Sequence, residues 1–494
     1  MKFLGSFKQK FKKFKYFRLI TGFILGGIVF LVLILGITWY NNKPVCDKCN
    51  VILVSIDTLS ALHLSCYGYE KNTAPNLCAF ADKNILFSNS YSQSSITLES
   101  HFSIFTSLYP HTHKMTKIFA DPLNENYLTL AQLFKLNGYQ TIYYGPINDP
   151  HLPLDCGIER GFNIINDGFD IDRWDEAYSK LTESAEQKKP TFLFLHTYSV
   201  HEPYLSNSKS KPLFTDLPGF SNMLMTWQEF SKFSPDLLPF AIDIINELNF
   251  DSYKEKDSLK RVAEKLKKPE NIKEAEALFY TLPDFIIYSS YLARHLSKID
   301  INDPKQVEYI KALYDEQIYN LDKKLSKLFA LMEDPRLSKN TILIITADHG
   351  QEFMEHNDLF HANNLYRTST QVPLIIHISG FKPTKITEIV QGIDIYPTAI
   401  SLTGITPRSP LGGIDLSGLI IGKKFAQTNK YVKSELNTLV LIQDQNWRFY
   451  YDQRPLELYD LTVDPQEQNN VISLYPEKVN QFLKLLDSKK SSNF

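Results

Sequence analysis

Four short apolar runs, Val51–Ile56, Thr191–Leu195, Thr341–Thr346 and Val372–Ile378, constrain the fold of this chain more than any other feature. They are strand-length and do not alternate with polar residues, which predicts strands buried on both faces, of the kind that form parallel sheets. Stretches with helical period lie between them, at Tyr127–Asn137 and Tyr309–Met332. Strand–helix alternation of this kind predicts a doubly wound α/β sheet. Residues 205–305 differ: they are rich in Lys, Glu, Leu and Tyr, contain no strand-like run, and read as a helical insertion. The loop Pro407-Arg408-Ser409-Pro410-Leu411-Gly412-Gly413 marks the start of a smaller C-terminal α+β region, 407–494, after a catalytic domain at 50–406.

Three of the four runs end in groups that can do chemistry. Asp57 follows the first, His196 and His201 the second, Asp348 and His349 the third. In open α/β sheets ligands bind outside the carboxyl ends of the strands, so residues far apart in sequence converge on one crevice.

The amino terminus sets the compartment. Residues 1–18 carry Lys2, Lys8, Lys10, Lys12, Lys13, Lys15 and Arg18 with no acidic residue, and an uncharged apolar stretch follows at 19–40. At 1.5 Å per residue that stretch covers about 30 Å, enough for a bilayer core. A cleaved signal peptide would have a shorter apolar region and a small-residue cleavage site. Here Thr38-Trp39-Tyr40-Asn41-Asn42 follows, which reads as an interfacial anchor. The expectation is a single-pass plasma (inner) membrane protein in the lipid bilayer. The basic tail stays in the cytoplasm, 41–49 is a linker, and the catalytic part is extracytoplasmic. A formal net charge of −2 argues against nucleic acid as a partner. Of five cysteines, Cys46 and Cys49 have CxxC spacing. That spacing fits a local disulfide in an oxidising compartment, or a redox or zinc pair.

Asp348-His349-Gly350 at a strand end offers a carboxylate and an imidazole to one divalent ion, and Asp57 adds a second carboxylate. Asp57 also fits a helix N-cap, and Asp-His-Gly a plain turn. The segment Ser92–Thr106 reads as a loop entering a helix with Thr97 or Ser95 as its cap. The same geometry would suit Thr97 as a nucleophile, because a helix N-terminus favours an attacking alkoxide and an oxyanion.

A longer pattern bears on these alternatives. Asn50–Leu59, His63–Tyr69, Thr73–Leu77, Thr97–His101, Tyr109–His113, Phe194–Tyr204, Tyr314–Ile318, Asp348–Phe353, Asp394–Thr398 and Glu457–Pro465 run in order along the chain. Together they resemble the sulfatase family of the alkaline phosphatase superfamily. The resemblance implies an alkaline phosphatase/sulfatase-like doubly wound mixed sheet and one divalent metal ion, Mn2+, Ca2+ or Zn2+.

The departures are informative. Sulfatases carry Cys or Ser in a C/S-x-P-S-R motif that is oxidised to formylglycine. Here Thr97 stands in the Cys place, Glu99 in the Pro place and His101 in the Arg place. Threonine cannot form the aldehyde hydrate. Thr97 with Asp57, Asp348 and His349 resembles the single-metal site of lipoteichoic acid synthases and phosphoethanolamine transferases. His361, twelve positions after His349, matches their substrate-binding histidine. The resemblance thus implies metal ligation by Asp57, Thr97, Asp348 and His349, with Thr97 forming a covalent ester. His201 would protonate the leaving group, and His113 and His361 would neutralise charge on the transferred group. The expected function is a phosphodiesterase or phosphotransferase acting on a phosphorylated or sulfated envelope lipid or glycan. The alternatives are an arylsulfatase-like sulfuric ester hydrolase and an inactive sulfatase-like scaffold.

Overall fold

The computed structural model describes residues 45–490 apart from 117–121, 148–150, 169–170, 188, 205–211, 218–219, 221–229, 248–255 and 424–427. The expected membrane span at 19–40 and its basic flank lie outside the described residues. Among those described, no helix is long and apolar enough to cross a membrane.

An eight-stranded sheet forms the centre. Its strands are β1 (Asn50–Ile56), β2 (Ile85–Tyr91), β3 (Gln140–Gly145), β4 (Ile164–Asp167), β5 (Thr191–Thr197), β6 (Thr341–Thr346), β9 (Leu374–Ile378) and β10 (Thr384–Gln391). The short pair β7 (Glu352–Phe353) and β8 (Leu359–Phe360) lies apart from it. The order across the sheet is β10-β2-β9-β6-β1-β5-β3-β4. The run Val372–Ile378 corrects one expectation: β9 pairs antiparallel with both β2 and β6. Burial on both faces makes any such strand uniformly apolar, so composition alone does not reveal its direction.

Residues along each central strand feed two cores in turn. Ile52, Val54, Leu193, Leu195, Leu343 and Ile345 face one cluster. Val51, Leu53, Phe192, Phe194, Ile342 and Ile344 face the other. Each such side chain contributes about 1.5–3 kcal/mol on burial. Helices cover both faces. In chain order these are α1 (Pro75–Ala81), α2 (Thr97–Thr106), α3 (Leu130–Leu136), α4 (Trp174–Glu186), then α5 to α8 (Leu238–Glu247, Lys256–Leu266, Ile272–Phe279, Asp284–Leu296). They continue with α9 (Pro304–Glu333), α10 (Ile395–Leu402) and α11 (Pro476–Lys490). Thr129 and Gln132 form a capping box that starts α3. Asp303 caps α9, whose Leu313, Leu321, Leu325, Leu328 and Met332 repeat at helical spacing on its buried side. Helices α5 to α8 share a separate cluster built on Phe230, Ile245, Phe279 and Ile286.

The C-terminal part is a four-stranded antiparallel sheet, β11 (Val432–Leu436), β12 (Leu439–Gln443), β13 (Trp447–Asp452) and β14 (Arg454–Asp460), packed against α11. It is fastened to the main body by Arg448, fully buried and ion-paired with Glu467 at 2.9 Å. The guanidinium of Arg448 also donates to Leu365 O at 2.6 Å and Thr370 Oγ1 at 3.0 Å, and lies 5.5 Å from the Tyr91 ring of β2.

Cys46–Cys49 and Cys66–Cys78 are disulfides, and Cys156 is a buried thiol. The first pair is the local bridge expected from its spacing.

Candidate active site

Register brings the chemistry together. Ser55 of β1 pairs with His196 of β5 and with Thr346 of β6, so three adjacent strands end at one level. Asp57 leaves β1 there, and Asp348 and His349 leave β6. The turn after β6 needs Gly350 for a steric reason, since a Cβ there would lie 2.1 Å from Thr368 O.

Asp57, Asp348 and His349 are fully buried, and Thr97 is 3% exposed. One ligand atom from each of Asp57, Asp348 and His349 lies within 4.8 Å of the others. Asp348 Oδ1 accepts from Thr58 N at 3.3 Å and His349 N at 2.9 Å. Asp348 Oδ2 is buried and accepts no hydrogen bond, with His349 Nε2 at 3.5 Å and His101 Nδ1 at 3.6 Å. Burial pushes the Asp348 carboxyl up, but the imidazoles of His349, His101 and His196 hold it below its ordinary value. Two buried carboxylates side by side, one with an oxygen lacking any donor, form a set that a divalent cation would complete. His349 fits the same reading. Its Nδ1 donates to Gly350 O at 3.0 Å, and Nε2 is the ring nitrogen turned toward the carboxylates.

Thr97 is not the helix cap. Ile96 occupies that position without a side-chain bond, and Thr97 is the first residue of α2. Its Oγ1 instead lies 3.4 Å from Asp57 Oδ2 and 3.3 Å from His349 Nε2. Asp57 caps no helix either; the 3-10 turn after it is capped by Ser60. The structural alternatives for both residues therefore fall away.

His201 and His361 stand beside this set. The His361 ring is 4.6 Å from that of His349 and 5.1 Å from that of His201. Burial, with His349, His201 and His151 around it, holds His361 well below its ordinary pKa, so the imidazole is neutral. His113 is not brought to the site. Its Nδ1 accepts from Met115 N at 3.0 Å and its Nε2 meets Ser103 Oγ at 3.1 Å, while burial lowers it to about 3. Both nitrogens are spent on holding the turn Pro110–His113 against α2.

Two histidines absent from the expected set complete the surroundings. His196 donates from Nδ1 to Ser55 O at 3.0 Å and places Nε2 3.6 Å from Asp57 Oδ2. His101 bonds Thr97 O at 2.9 Å and Ser55 Oγ at 3.0 Å, tying the start of α2 to β1. Their positions at a strand end and in the Arg place were the available signals. Glu202, 6% exposed, and Gln351 join them; both lie in the family-like segments Phe194–Tyr204 and Asp348–Phe353, without a role assigned from sequence.

A sulfatase family profile matches residues 49–405, and one described as N-sulphoglucosamine sulphohydrolase, C-terminal, matches 355–490. Arylsulfatase K of Gallus gallus is 25% identical over 488 residues, covering 91% of this chain and 83% of its own. Delta 4,5-hexuronate-2-O-sulfatase of Bacteroides thetaiotaomicron is 22% identical, covering 86% and 85%. Among solved structures, a protein in complex with its substrate D-glucosamine-2-N,6-O-disulfate aligns with TM-score 0.62 at 20% identity, covering 91% of this chain and 98% of that one. Phosphonate monoester hydrolase of Agrobacterium radiobacter aligns with TM-score 0.60 at 17% identity, covering 90% and 95%. With the match running over most of its length, the chain belongs to the sulfatase family.

Proposed function

We propose that this protein is a metal-dependent hydrolase of sulfate monoesters on a glycan, with Thr97 as the attacking group. The observation that carries the reading is the placement of Thr97 Oγ1, at the first position of α2, against the buried Asp57 and His349. The naming of relatives as hexuronate and N-acetylglucosamine sulfatases supports the glycan sulfate class over the phosphotransferase expected from the Thr97 motif.

Asp57, Asp348, His349 and Thr97 would hold one divalent ion, which would supply Lewis acidity toward the hydroxyl and the ester oxygens. The chain's own groups set up the rest. Asp57 Oδ2 lies where it can accept the Thr97 proton. The N-terminus of α2 presents a positive potential to the ester anion. As the Thr97 oxygen bonds to sulfur, the bond from sulfur to the sugar oxygen breaks and His201 gives that oxygen a proton. Water then cleaves the Thr97 ester at sulfur and releases sulfate.

A threonyl sulfate lacks the second hydroxyl through which an aldehyde hydrate expels sulfate, and this favours a second reading, phosphate ester hydrolysis through a threonyl phosphate. Assays of the metal-loaded protein with nitrophenyl sulfate, a sulfated glucosamine and a nitrophenyl phosphodiester separate the two. Turnover of the phosphodiester alone would overturn the sulfate reading, and no turnover of any would leave the scaffold reading.

We also place this activity outside the cytoplasm, anchored by residues 19–40. The sequence at 1–40 supports this, as does a disulfide inside the catalytic region, Cys66–Cys78. Protease added to intact cells or spheroplasts should reach residues beyond Lys43; full protection would reverse the topology.

A further inference from the structure

We propose that Tyr288, carried by helix α8 of the insertion at 205–305, is a positioning residue that sets the His201 imidazole for its proton transfer. Two donors meet on one acceptor. Nδ1 of His201 donates to Glu202 O at 2.7 Å, and the Tyr288 hydroxyl donates to the same oxygen at 2.8 Å. A carbonyl oxygen has two lone pairs, so both bonds form together. The His201 ring is therefore oriented by an oxygen that is itself held from the insertion.

The segment around His201 needs such a hold, because it lies beyond the end of β5 and outside any helix or strand. Thr58 Oγ1 donates to Val200 O at 3.0 Å, which ties the loop to the exit of β1. The Glu202 carboxylate can only accept, so Gln351 turns its amide NH2 toward it, and Nε2 donates to Oε2 at 2.9 Å. The Gln351 amide oxygen then faces His361 Nδ1, 2.9 Å away, and that nitrogen carries a proton. These bonds fix Val200 and the Glu202 side chain from the side of the sheet. The Glu202 carbonyl, on which His201 depends, is fixed from the opposite unit by Tyr288.

The insertion is built to hold that hydroxyl still. Helix α8 sends Ile286 into a core with Phe230 and Phe279, and Tyr288 packs against it with its ring 6.0 Å from that of Phe230. Arg294 of α8, 5% exposed, donates to Phe230 O at 2.8 Å and to Ser234 Oγ at 2.9 Å. The end of α8 stays on the same loop, where His295 and Leu296 line one small cavity with Glu202, Pro203 and Tyr204. None of the family-like segments falls within 205–305, so the contact ties this insertion to the reaction. Displacing a reacting group by about 1 Å can cost about 10²-fold in rate, which gives a hydrogen bond one step removed from the chemistry its leverage.

The inference rests on His201 as the proton donor, and its test uses that dependence. A sugar oxygen needs a proton to depart, whereas nitrophenolate leaves without one. The full-length, metal-loaded protein is assayed on a sulfated glucosamine and on nitrophenyl sulfate, or on an alkyl and a nitrophenyl phosphodiester where phosphate esters are the ones cleaved. His201→Gln should lose about 10²–10⁴-fold in kcat on the sugar or alkyl ester and far less on the nitrophenyl ester. Tyr288→Phe should show the same selectivity at about tenfold, with KM unchanged and circular dichroism confirming its fold. In the His201→Gln background it should add nothing. An equal loss on both esters in His201→Gln would end the donor reading and this inference with it. A selective loss in His201→Gln with none in Tyr288→Phe would overturn the inference alone. So would a Tyr288→Phe loss that is equal on both esters or persists undiminished without His201, since the hydroxyl would then serve the fold or binding.

Discussion

Thr97 Oγ1 lies 3.3 Å from His349 Nε2, on a ring whose Nδ1 is held by Gly350 O. A hydroxyl from the start of a helix and an imidazole from a strand end, 252 residues apart, meet where both could bind one ion.

Thr97→Ala should keep its fold and lose several orders of magnitude in kcat, because no covalent route remains. Thr97→Ser should retain part of the rate. Quenched wild-type enzyme should show a mass increase on the peptide containing Thr97. Unchanged turnover in Thr97→Ala would make water the attacking group.

Removal of metal should destabilise the protein, because Asp57 and Asp348 are buried together. Metal at one hundred times its Kd should restore about 2.7 kcal/mol at one site. Chelator-dependent melting reads this directly. Asp348→Asn should melt nearly alike with and without chelator.

Acid should loosen the C-terminal sheet. Burial raises the Glu435 carboxyl, but His111 and Lys433 pull it from its ordinary 4.5 down to about 2. A depressed folded pKa contributes stability that is complete above about pH 4.5 and is lost as pH falls toward 2. Glu435→Gln should therefore show a flatter dependence in urea unfolding across that window. An identical slope in both proteins would remove the pair from the account.

Arg448→Ala should cost about 3–5 kcal/mol, since it leaves the buried Glu467 carboxylate without its cation and removes the bonds to Leu365 O and Thr370 Oγ1. Urea unfolding measures the loss. A loss within 0.5 kcal/mol would mean that the pair does not fasten the two sheets.

The sequence by itself determined four of the central strands, β1, β5, β6 and β9, since runs buried on both faces must be apolar throughout, and it placed the polar residues that follow three of them at the sheet's edge. Asp57, Asp348 and His349 were legible for that reason, and the order of motifs carried the family. It could not choose between Thr97 as cap and Thr97 as nucleophile, because both demand a hydroxyl before a helix. Tertiary structure removed the cap, which falls on Ile96, and set Asp57 and His349 beside Oγ1. It also decided the antiparallel direction of β9 and withdrew His113, whose ring nitrogens bind Ser103 and Met115. The protonation of His361 is likewise a tertiary property. It follows from a glutamate and a glutamine that come from two different loops.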